Sequence, residues 1–170
     1  EQIYCDIKAS KTYVIDANWA LYCENYLEGF HVPFIHKGLN NDINLKTYKT
    51  EILDVGVLQY TENNKKENYA YYYWIFPNIM LNFYSWGLSI NIIEPITSAK
   101  TKINFLSYPI KGKSQPKETE SSLDVVEKED QKVVLNVQKG ISSNAYHRGR
   151  YSVKYEKGVH HFHRLISEYL

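Results

Sequence analysis

Residues 24–36 of this chain read ENYLEGFHVPFIH, and they bring together two histidines and two carboxylates. Four residues separate His31 from His36, and Pro33 is one of them. Because proline lacks a backbone N–H and clashes with the preceding turn, a helix entering this stretch should end near residues 30–32. The break allows the chain to turn, so that His36 can lie beside His31. Two adjacent neutral imidazoles suit a divalent metal, although histidines that simply line a core would give the same pattern.

The residues ahead of this stretch predict a helix. Asn18 is a good N-cap residue, and apolar side chains follow it at helical spacing. The apolar stripe consists of Trp19, Tyr22, Cys23, Tyr26 and Phe30. Glu24, Glu28 and His31 lie at positions i, i+4 and i+7, so we expect them to share a different face of the helix. An apolar-rich segment has little reason to gather carboxylates beside histidines, which favours the metal interpretation.

The composition is that of a globular protein with one core. The 170 residues are 44% hydrophobic and 23% charged. A formal net charge of +1 gives no electrostatic reason to bind nucleic acid, and no apolar run is long enough to span a membrane. Cys5 and Cys23 are isolated, which predicts reduced thiols and a cytoplasmic location. Since the first residue is Glu1 and not methionine, we expect a fragment or a processed protein.

Segments rich in β-prone residues dominate the middle of the chain. Residues 11–15 predict a strand ahead of Asn18, and a run of about six more strands follows. These candidates are residues 47–53, 55–61, 68–76, 79–84, 88–93 and 100–108. Their short connections favour an antiparallel meander. The polar segments between them and after them predict loops at residues 38–42, 62–66 and 109–122.

A second informative stretch predicts a helix over residues 121–140, with a serine N-cap and a glycine C-cap. Its apolar stripe consists of Leu123, Val126, Val133 and Val137. Asp130 occupies the place in that stripe where a core residue is expected. A buried unpaired carboxylate is costly, so Asp130 should be protonated, paired with a tyrosine or lysine, or bound to a metal. With His31 and His36 it would complete the two-histidine, one-carboxylate triad of non-haem Fe(II) sites, which leaves room for O2 and substrate.

The segment NWALYCENYLEGFHVPFIHKGL resembles the catalytic domain of Rieske-type non-haem iron oxygenases. These are the large (alpha) subunits of aromatic-ring-hydroxylating dioxygenases and of choline- or carnitine-type monooxygenases. Later pieces fit in the same order, namely YYYWIFPNIMLNFY, EDQKVVLNVQKGISS and GRYSVKYEKGVHHFHRLISEYL. The strand and helix pattern indicates an α+β protein. The resemblance narrows this to a helix-grip, Bet v1-like fold, in which residues 1–170 form one catalytic domain whose curved antiparallel sheet wraps long helices.

The resemblance also implies a site and a reaction. His31, His36 and Asp130 would bind mononuclear Fe(II), and Glu28 would occupy the position of the acid that bridges the iron to the Rieske cluster of a neighbouring subunit. The implied reaction is hydroxylation of an aromatic or other small organic substrate by O2. Its electrons would come from NAD(P)H through a reductase or ferredoxin, and the implied oligomer is a homotrimer.

The cysteines depart from the pattern of a complete Rieske oxygenase. A Rieske centre needs a Cys-x-His and a Cys-x2-His pair, and neither Cys5 nor Cys23 starts one. We therefore expect the [2Fe–2S] cluster to be bound in a missing N-terminal part or by a partner. The chain by itself should bind iron weakly to moderately and should be inactive without an external source of electrons.

Two other functions remain open at this stage. A helix-grip module could bind a small ligand without redox chemistry and retain a vestigial site, and a zinc hydrolase could use the same ligands. The final predicted helix carries three histidines that are a weaker metal candidate, His160, His161 and His163. Its expected buried stripe is Val159, Phe162, Ile166 and Leu170. A loop ahead of that helix could contact an acidic substrate or a partner subunit through His147, Arg148 and Arg150.

Overall fold

The computed structural model describes residues 2–36, 45–62, 69–113 and 123–170. Within them, one antiparallel sheet contains seven strands in the order β1-β7-β6-β5-β4-β3-β2. The strands are β1 (Asp6–Ile15), β2 (Lys49–Leu53), β3 (Gly56–Glu62), β4 (Tyr69–Ile75), β5 (Ile79–Tyr84), β6 (Gly87–Thr97) and β7 (Lys100–Pro109). Because β2 to β7 are neighbours in chain order, the predicted meander is confirmed. Strand β1 returns to pair with β7 at the far edge.

Helices pack against this sheet. They are α1 (Trp19–Tyr26), α2 (Val32–Ile35), α3 (Leu123–Ile141) and α4 (Lys157–Ser167), with a 3-10 turn at Leu45–Thr47. Helix α1 contacts α3, α4 and β6, whereas α4 also contacts β2. This arrangement is the α+β helix-grip architecture expected from the sequence. Over the described ranges, the helices are too short or too polar to cross a bilayer.

The core lies where α1 and α4 meet the sheet. Trp74 on β4 and Phe162 on α4 are completely buried, and their ring centroids lie 5.2 Å apart in an edge-to-face arrangement. A Cβ atom at Gly158 would lie 2.7 Å from the carbonyl oxygen of Leu27, so only glycine lets α4 approach the end of α1 this closely. The close approach fixes the position of the segment that follows α1.

The predicted stripe of α4 is right in its first half and wrong at its end. Val159 and Phe162 are buried as expected, and Leu165 joins them. Ile166 is only partly buried, and Leu170 lies beyond the end of the helix and is fully exposed. The inward face therefore passes through position 165, three residues after Phe162, as helical geometry requires.

Helix α1 ends at Tyr26, ahead of the predicted end at residues 30–32. The carboxylate of Glu28 accepts hydrogen bonds from the backbone N–H groups two and three residues later, at 2.8 and 3.2 Å, which holds the chain out of the helix. Pro33 then lies in the first turn of α2, where its missing N–H has no helical partner to lose. The prediction that Glu24, Glu28 and His31 share one helical face is therefore wrong.

The inward face of α3 is displaced from the predicted stripe. Val134 is buried, whereas Val133 is half-buried and Val137 is 42% exposed. The inward-facing position one turn before Val134 is occupied by Asp130, and the position two turns before it by Glu127, so both carry carboxylates. Polar residues on the inner face made the apolar periodicity a poor guide to the orientation of this helix.

Some predicted boundaries also differ from the structure. The strand expected from residue 47 begins at Lys49, because Leu45–Thr47 form the 3-10 turn. Helix α3 continues to Ile141, so Gly140 lies inside it and does not cap it. The loop predicted at residues 38–42, most of the loop at 62–66, and residues 114–122 lie outside the described residues.

Candidate metal centre

Three side chains from separate parts of the chain converge beside α2. His31 precedes α2, His36 follows it, and Asp130 lies in the middle of α3. The Nε2 atoms of the two histidines are 3.1 Å apart. The Oδ1 atom of Asp130 lies 3.0 Å from Nε2 of His36 and 3.5 Å from Nε2 of His31. We call His31, His36 and Asp130 the metal cluster, because their ligand atoms all lie within 4.8 Å of one another.

The single turn of α2 explains how the two histidines meet. His31 is its N-cap residue and His36 its C-cap residue, so the imidazoles extend from opposite ends of one short helix. Their ring centroids are 5.0 Å apart. The sequence predicted that His36 would return beside His31, and the structure shows this by a different path. The chain breaks ahead of His31, and the turn that follows contains Pro33.

A carboxylate binds the second nitrogen of each imidazole. Glu28 contacts Nδ1 of His31, and Oε2 of Glu129 lies 2.7 Å from Nδ1 of His36. A carboxylate at Nδ1 favours the tautomer in which Nδ1 carries the proton, which leaves the lone pair of Nε2 free for a metal. The contact of Glu129 was not predicted. Its position directly before Asp130 on a helix was the available signal.

Helices α1 and α3 are joined by two pairs of side chains that we call the rungs. In one rung, Nδ2 of Asn25 donates to Oδ1 of Asp130 at 2.6 Å. In the other, the hydroxyl of Tyr22 donates to Oε2 of Glu127. Each helix contributes residues three positions apart, so both rungs lie on matching faces. The rung at Asn25 fixes the orientation of the carboxylate in the metal cluster.

The charges of the metal cluster are coupled. Burial opposes a charge on His31, but hydrogen bonds to Asp130 and Glu28 outweigh burial and raise its pKa to about 9. Burial lowers the pKa of His36, but its hydrogen bonds to Asp130 and Glu129 outweigh burial, so the pKa is raised overall. Burial would raise the pKa of Asp130, yet hydrogen bonds from the two histidines lower it. The carboxylates therefore stabilise positive charge at this point, and either protons or a divalent cation can provide it.

The donor set fits a divalent transition metal. Two imidazole Nε2 atoms and one carboxylate oxygen face a common point, and each imidazole is oriented by a carboxylate at Nδ1. Two histidines with one carboxylate are the ligands of facial non-haem Fe(II) sites.

Comparison with known proteins identifies the family. The model described as the ring hydroxylating alpha subunit (catalytic domain) matches residues 5–52 and 46–170. The chain belongs to this family. The chloroplastic choline monooxygenase of Arabidopsis thaliana is 35% identical over 92% of the chain and 40% of the relative. The carnitine monooxygenase oxygenase subunit of Escherichia coli (strain K12) is 29% identical over 89% of the chain and 46% of the relative. The chain thus spans less than half the length of these relatives.

Solved structures of other proteins share the fold. The quaternary ammonium Rieske monooxygenase CntA, in complex with an inhibitor, matches with a TM-score of 0.82 and 22% identity, over 98% of this chain and 49% of that chain. Dicamba monooxygenase matches with a TM-score of 0.65 and 15% identity, over 98% of this chain and 58% of that chain. At these identities the matches show the fold alone, which is consistent with the expected helix-grip architecture.

The other histidines of this family member are placed differently. Nε2 of His163 lies 2.7 Å from Oε1 of Glu24, and its Nδ1 contacts the hydroxyl of Tyr151. Among the described residues, the histidines of α4 do not form a group of three potential metal ligands like the metal cluster. The loop residues proposed to contact a substrate or partner are exposed, namely His147, Arg148 and Arg150.

A pocket lies between α3 and one end of the sheet, and we call it the sheet–helix pocket. Its enclosed space is about 20 Å³, which is room for about one water molecule. Side chains from β1, β6, β7 and α3 line it, among them Tyr13, Ser89, Phe105, Ser107, Asp124 and Glu127. Sequence reasoning missed Glu127, because a glutamate on an amphipathic helix has the appearance of a solvent-exposed residue.

Proposed function

We propose that this chain is the catalytic domain of a Rieske-type oxygenase that uses mononuclear non-haem Fe(II) and O2 to hydroxylate a small quaternary ammonium compound. The observation that carries the proposal is the metal cluster, in which residues 94 and 99 positions apart along the chain place ligand atoms within 4.8 Å of one another. Membership of the ring hydroxylating alpha subunit family supports the same assignment.

The proposed substrate class is supported by the relatives. The curated relatives are named choline or carnitine monooxygenases, and a similar structure contains L-carnitine. Both compounds carry a trimethylammonium group. The aromatic substrate and the dioxygenase chemistry suggested by the sequence are therefore narrowed in this proposal to the monooxygenation of a quaternary amine.

Each residue of the centre has a distinct part in this proposal. His31, His36 and Asp130 would hold the iron, which supplies the site where O2 is activated when bound. Glu28 and Glu129 would keep the protons of the imidazoles on Nδ1, so that Nε2 stays a ligand. Since Asp130 also accepts a hydrogen bond from α1, its carboxylate is oriented before a metal arrives.

Electron supply requires groups held elsewhere in the assembly. We propose that a Rieske [2Fe–2S] cluster lies outside residues 1–170, which would form the single catalytic domain. Glu28, through its contact with His31, would carry the link from that cluster in a neighbouring subunit to the iron. The CntA structure is described in terms of inter-subunit electron transfer, which supports this arrangement. A reductase or ferredoxin would supply the electrons from NAD(P)H.

Assembly and location are finer parts of the same proposal. A homotrimer would place one subunit's Rieske cluster beside the next subunit's Glu28. The cysteines are free, with Cys5 exposed and Cys23 buried, in keeping with the predicted reducing cytoplasm. The plant relatives are chloroplastic, so the compartment stays a prediction.

Iron analysis after anaerobic loading tests the proposal. The protein should retain one mononuclear iron per subunit, and His31→Ala should lose it. His160→Ala is the matched control, because it removes an exposed histidine of α4 and should retain the iron. The loaded protein should then hydroxylate choline or carnitine only when a reductase and the part that carries the Rieske cluster are both supplied. Retention of no iron, or of zinc together with hydrolase activity, would overturn the proposal.

A further inference from the structure

Residues 27–30 connect the end of α1 to His31, and we call them the linker. The contact of α4 with Leu27 holds the start of the linker. Glu28, one residue further on, contacts Nδ1 of His31 and accepts hydrogen bonds from the backbone N–H groups of Phe30 and His31. Because these partners move together with Glu28, they do not attach it to the rest of the protein. The orientation of the His31 imidazole therefore depends on other contacts that fix the linker.

The sheet provides such a contact through Gln59 on β3. Nε2 of Gln59 donates to the backbone carbonyl oxygen of Tyr26, the last residue of α1, at 2.7 Å. Its Oε1 accepts a hydrogen bond from the hydroxyl of Tyr48 at 2.8 Å. Gln59 is only 1% exposed, so both ends of a buried amide are satisfied by protein groups. Glutamine is seldom buried so completely, which indicates that this polar group does more than fill the core.

The ring of Tyr48 packs directly on the linker. Tyr48 lies between the 3-10 turn and β2. A Cβ atom added at Gly29 would lie 2.6 Å from Cζ of this ring, a distance at which the atoms overlap. Glycine therefore lets the ring reach the backbone next to Glu28. Since Tyr48 is also bound to Gln59, one pair of side chains contacts the backbone on both sides of Leu27. We call Gln59 and Tyr48 the brace.

The hydrogen bonds of the brace have a fixed direction. Burial raises the pKa of Tyr48 well above its usual value, so its hydroxyl keeps the proton that it donates to Gln59. A backbone carbonyl oxygen can only accept, so the amide of Gln59 must present Nε2 to Tyr26 and Oε1 to Tyr48. Turning the amide over would place two acceptors together and two donors together. The brace thus has one stable arrangement.

We propose that Gln59 and Tyr48 are positioning residues, which fix the linker so that Glu28 stays at Nδ1 of His31 and Nε2 of His31 stays directed at the metal cluster. This inference rests on the proposed function, because it concerns the geometry of a ligand to the iron. It assigns that geometry to contacts from the sheet side of the protein, in addition to the helices that carry the ligands.

The brace should act on only one of the two imidazoles. The carboxylate at Nδ1 of His31 comes from the linker, whereas the carboxylate at Nδ1 of His36 comes from Glu129 on α3. The backbone N–H of His36 binds the carbonyl of Val32 within α2 at 2.9 Å. Loosening the brace should therefore disturb His31 and leave His36 with its partners. A general loss of stability would affect both histidines.

Amide hydrogen exchange of the metal-free protein, measured by NMR, tests the brace directly. Gln59→Leu removes both hydrogen bonds and retains most of the side-chain volume. The N–H groups of Phe30 and His31 should then exchange at least about tenfold faster relative to the N–H of His36. Tyr48→Phe keeps the ring on the linker and removes one hydrogen bond, so the same ratio should change by about threefold.

Gln138→Leu is the matched control. Gln138 also binds the backbone of α1, because its Oε1 accepts from the N–H of Asn18 at 2.8 Å, but it does so at the opposite end of the helix. Its Nε2 donates to the hydroxyl of Ser142 at 3.0 Å, so the substitution again removes two hydrogen bonds. The exchange ratio of the linker should match that of the wild type.

Electron paramagnetic resonance of the intact, Fe(II)-loaded protein provides the second measurement, with nitric oxide as the probe. The rhombicity of its high-spin signal reports the arrangement of the protein ligands. The wild-type protein and Gln138→Leu should give one and the same signal. Gln59→Leu should shift the rhombicity or split the signal into components, because the imidazole of His31 is no longer held in one orientation.

The outcomes distinguish this inference from the proposed function. If Gln59→Leu leaves both the exchange ratio and the spectrum unchanged, the positioning role is wrong while the iron site stands. If Gln138→Leu changes both by the same amount, the effect is a general loss of stability and the positioning role is also wrong. If the wild-type protein takes up no iron, the proposed function fails, whereas the exchange ratio still decides whether the brace fixes the linker.

Discussion

Asp130 and Glu127 lie three residues apart on α3, and their surroundings have opposite effects on their charge. Both are desolvated, and both accept a hydrogen bond from α1. Hydrogen bonds from two imidazoles overcome the burial of Asp130 and lower its pKa. Burial raises the pKa of Glu127 to about 8, and the hydrogen bonds from its neutral partners do not offset this. Partners that can carry positive charge, more than depth in the protein, decide which carboxylate is ionised.

The contrast assigns different chemistry to the two positions. A carboxylate that is ionised near neutral pH can bind a metal immediately, as the metal cluster requires. A carboxyl that is largely protonated near neutral pH must first lose its proton, so Glu127 is less suited to bind a metal. Replacing Asp130 should therefore affect metal binding, whereas replacing Glu127 should affect the pH dependence of stability.

The largest expected effect is on metal binding. Asp130→Asn should lower the affinity for Fe(II) by more than about 100-fold, because an anionic ligand is lost and two histidines remain. Glu127→Gln should leave that affinity within about twofold, since Glu127 lies outside the metal cluster. Anaerobic titration with Fe(II) measures both. Equal losses in the two variants would show that the carboxylates are not separate in function.

The next effect is on stability as a function of pH. The carboxyl of Glu127 ionises near pH 4.5 when unfolded and near 8 when folded. Its contribution to the free energy of unfolding is therefore complete below about pH 4.5 and is lost as the pH rises toward 8. Removing it by Glu127→Gln should flatten the pH profile by roughly 2 to 4 kcal/mol over this range. Urea denaturation at several pH values provides the measurement, and identical slopes in both proteins would contradict it.

A smaller effect should follow from the carboxylate behind His36. Glu129→Gln should lower the affinity for Fe(II) by about tenfold, because the imidazole loses the charged partner at Nδ1 that makes it a better ligand. Glu168→Gln, which changes an exposed glutamate after α4, serves as the control and should have no effect. An unchanged affinity in Glu129→Gln would show that Glu129 does not contribute to metal binding.

The smallest expected effect comes from the second rung. Tyr22→Phe removes the hydroxyl that donates to Glu127 and should cost about 1 kcal/mol of stability. Because that hydrogen bond lowers the pKa of Glu127, its loss should also move the ionisation of Glu127 to higher pH. Thermal unfolding at low and high pH would detect both changes. A Tyr22→Phe protein more stable than the wild type would contradict the rung as described.

Much of the fold followed from local patterns in the sequence. The β-prone segments between residues 49 and 109 predicted the order of the meander, since short loops leave antiparallel neighbours few alternatives. The proximity of His31 and His36 was also predicted, although the chain breaks ahead of His31 and not at the proline between the two histidines. The early end of α1 did not, because it depends on the Glu28 carboxylate binding two backbone N–H groups. That contact competes with the helix and has no signature in apolar spacing.

The site was only partly accessible to the same reasoning. Asp130 stood out because it interrupts an apolar stripe. Glu127 did not, since the stripe derived from the valines was rotated relative to the face that is buried, and Val134 was missed together with it. Ser107 could not have been found, because its lack of a partner depends on the packing of three strands against α3. The apolar pattern of the sequence could not predict these features, because they depend on contacts with residues distant in sequence.

A crystal structure of the anaerobically Fe(II)-loaded protein, with anomalous scattering recorded at the iron edge, tests the central claim most directly. A mononuclear iron peak is expected at bonding distance from Nε2 of His31, Nε2 of His36 and a carboxylate oxygen of Asp130. A peak that lacks Asp130 as a ligand, or no mononuclear iron between these three side chains, would contradict it.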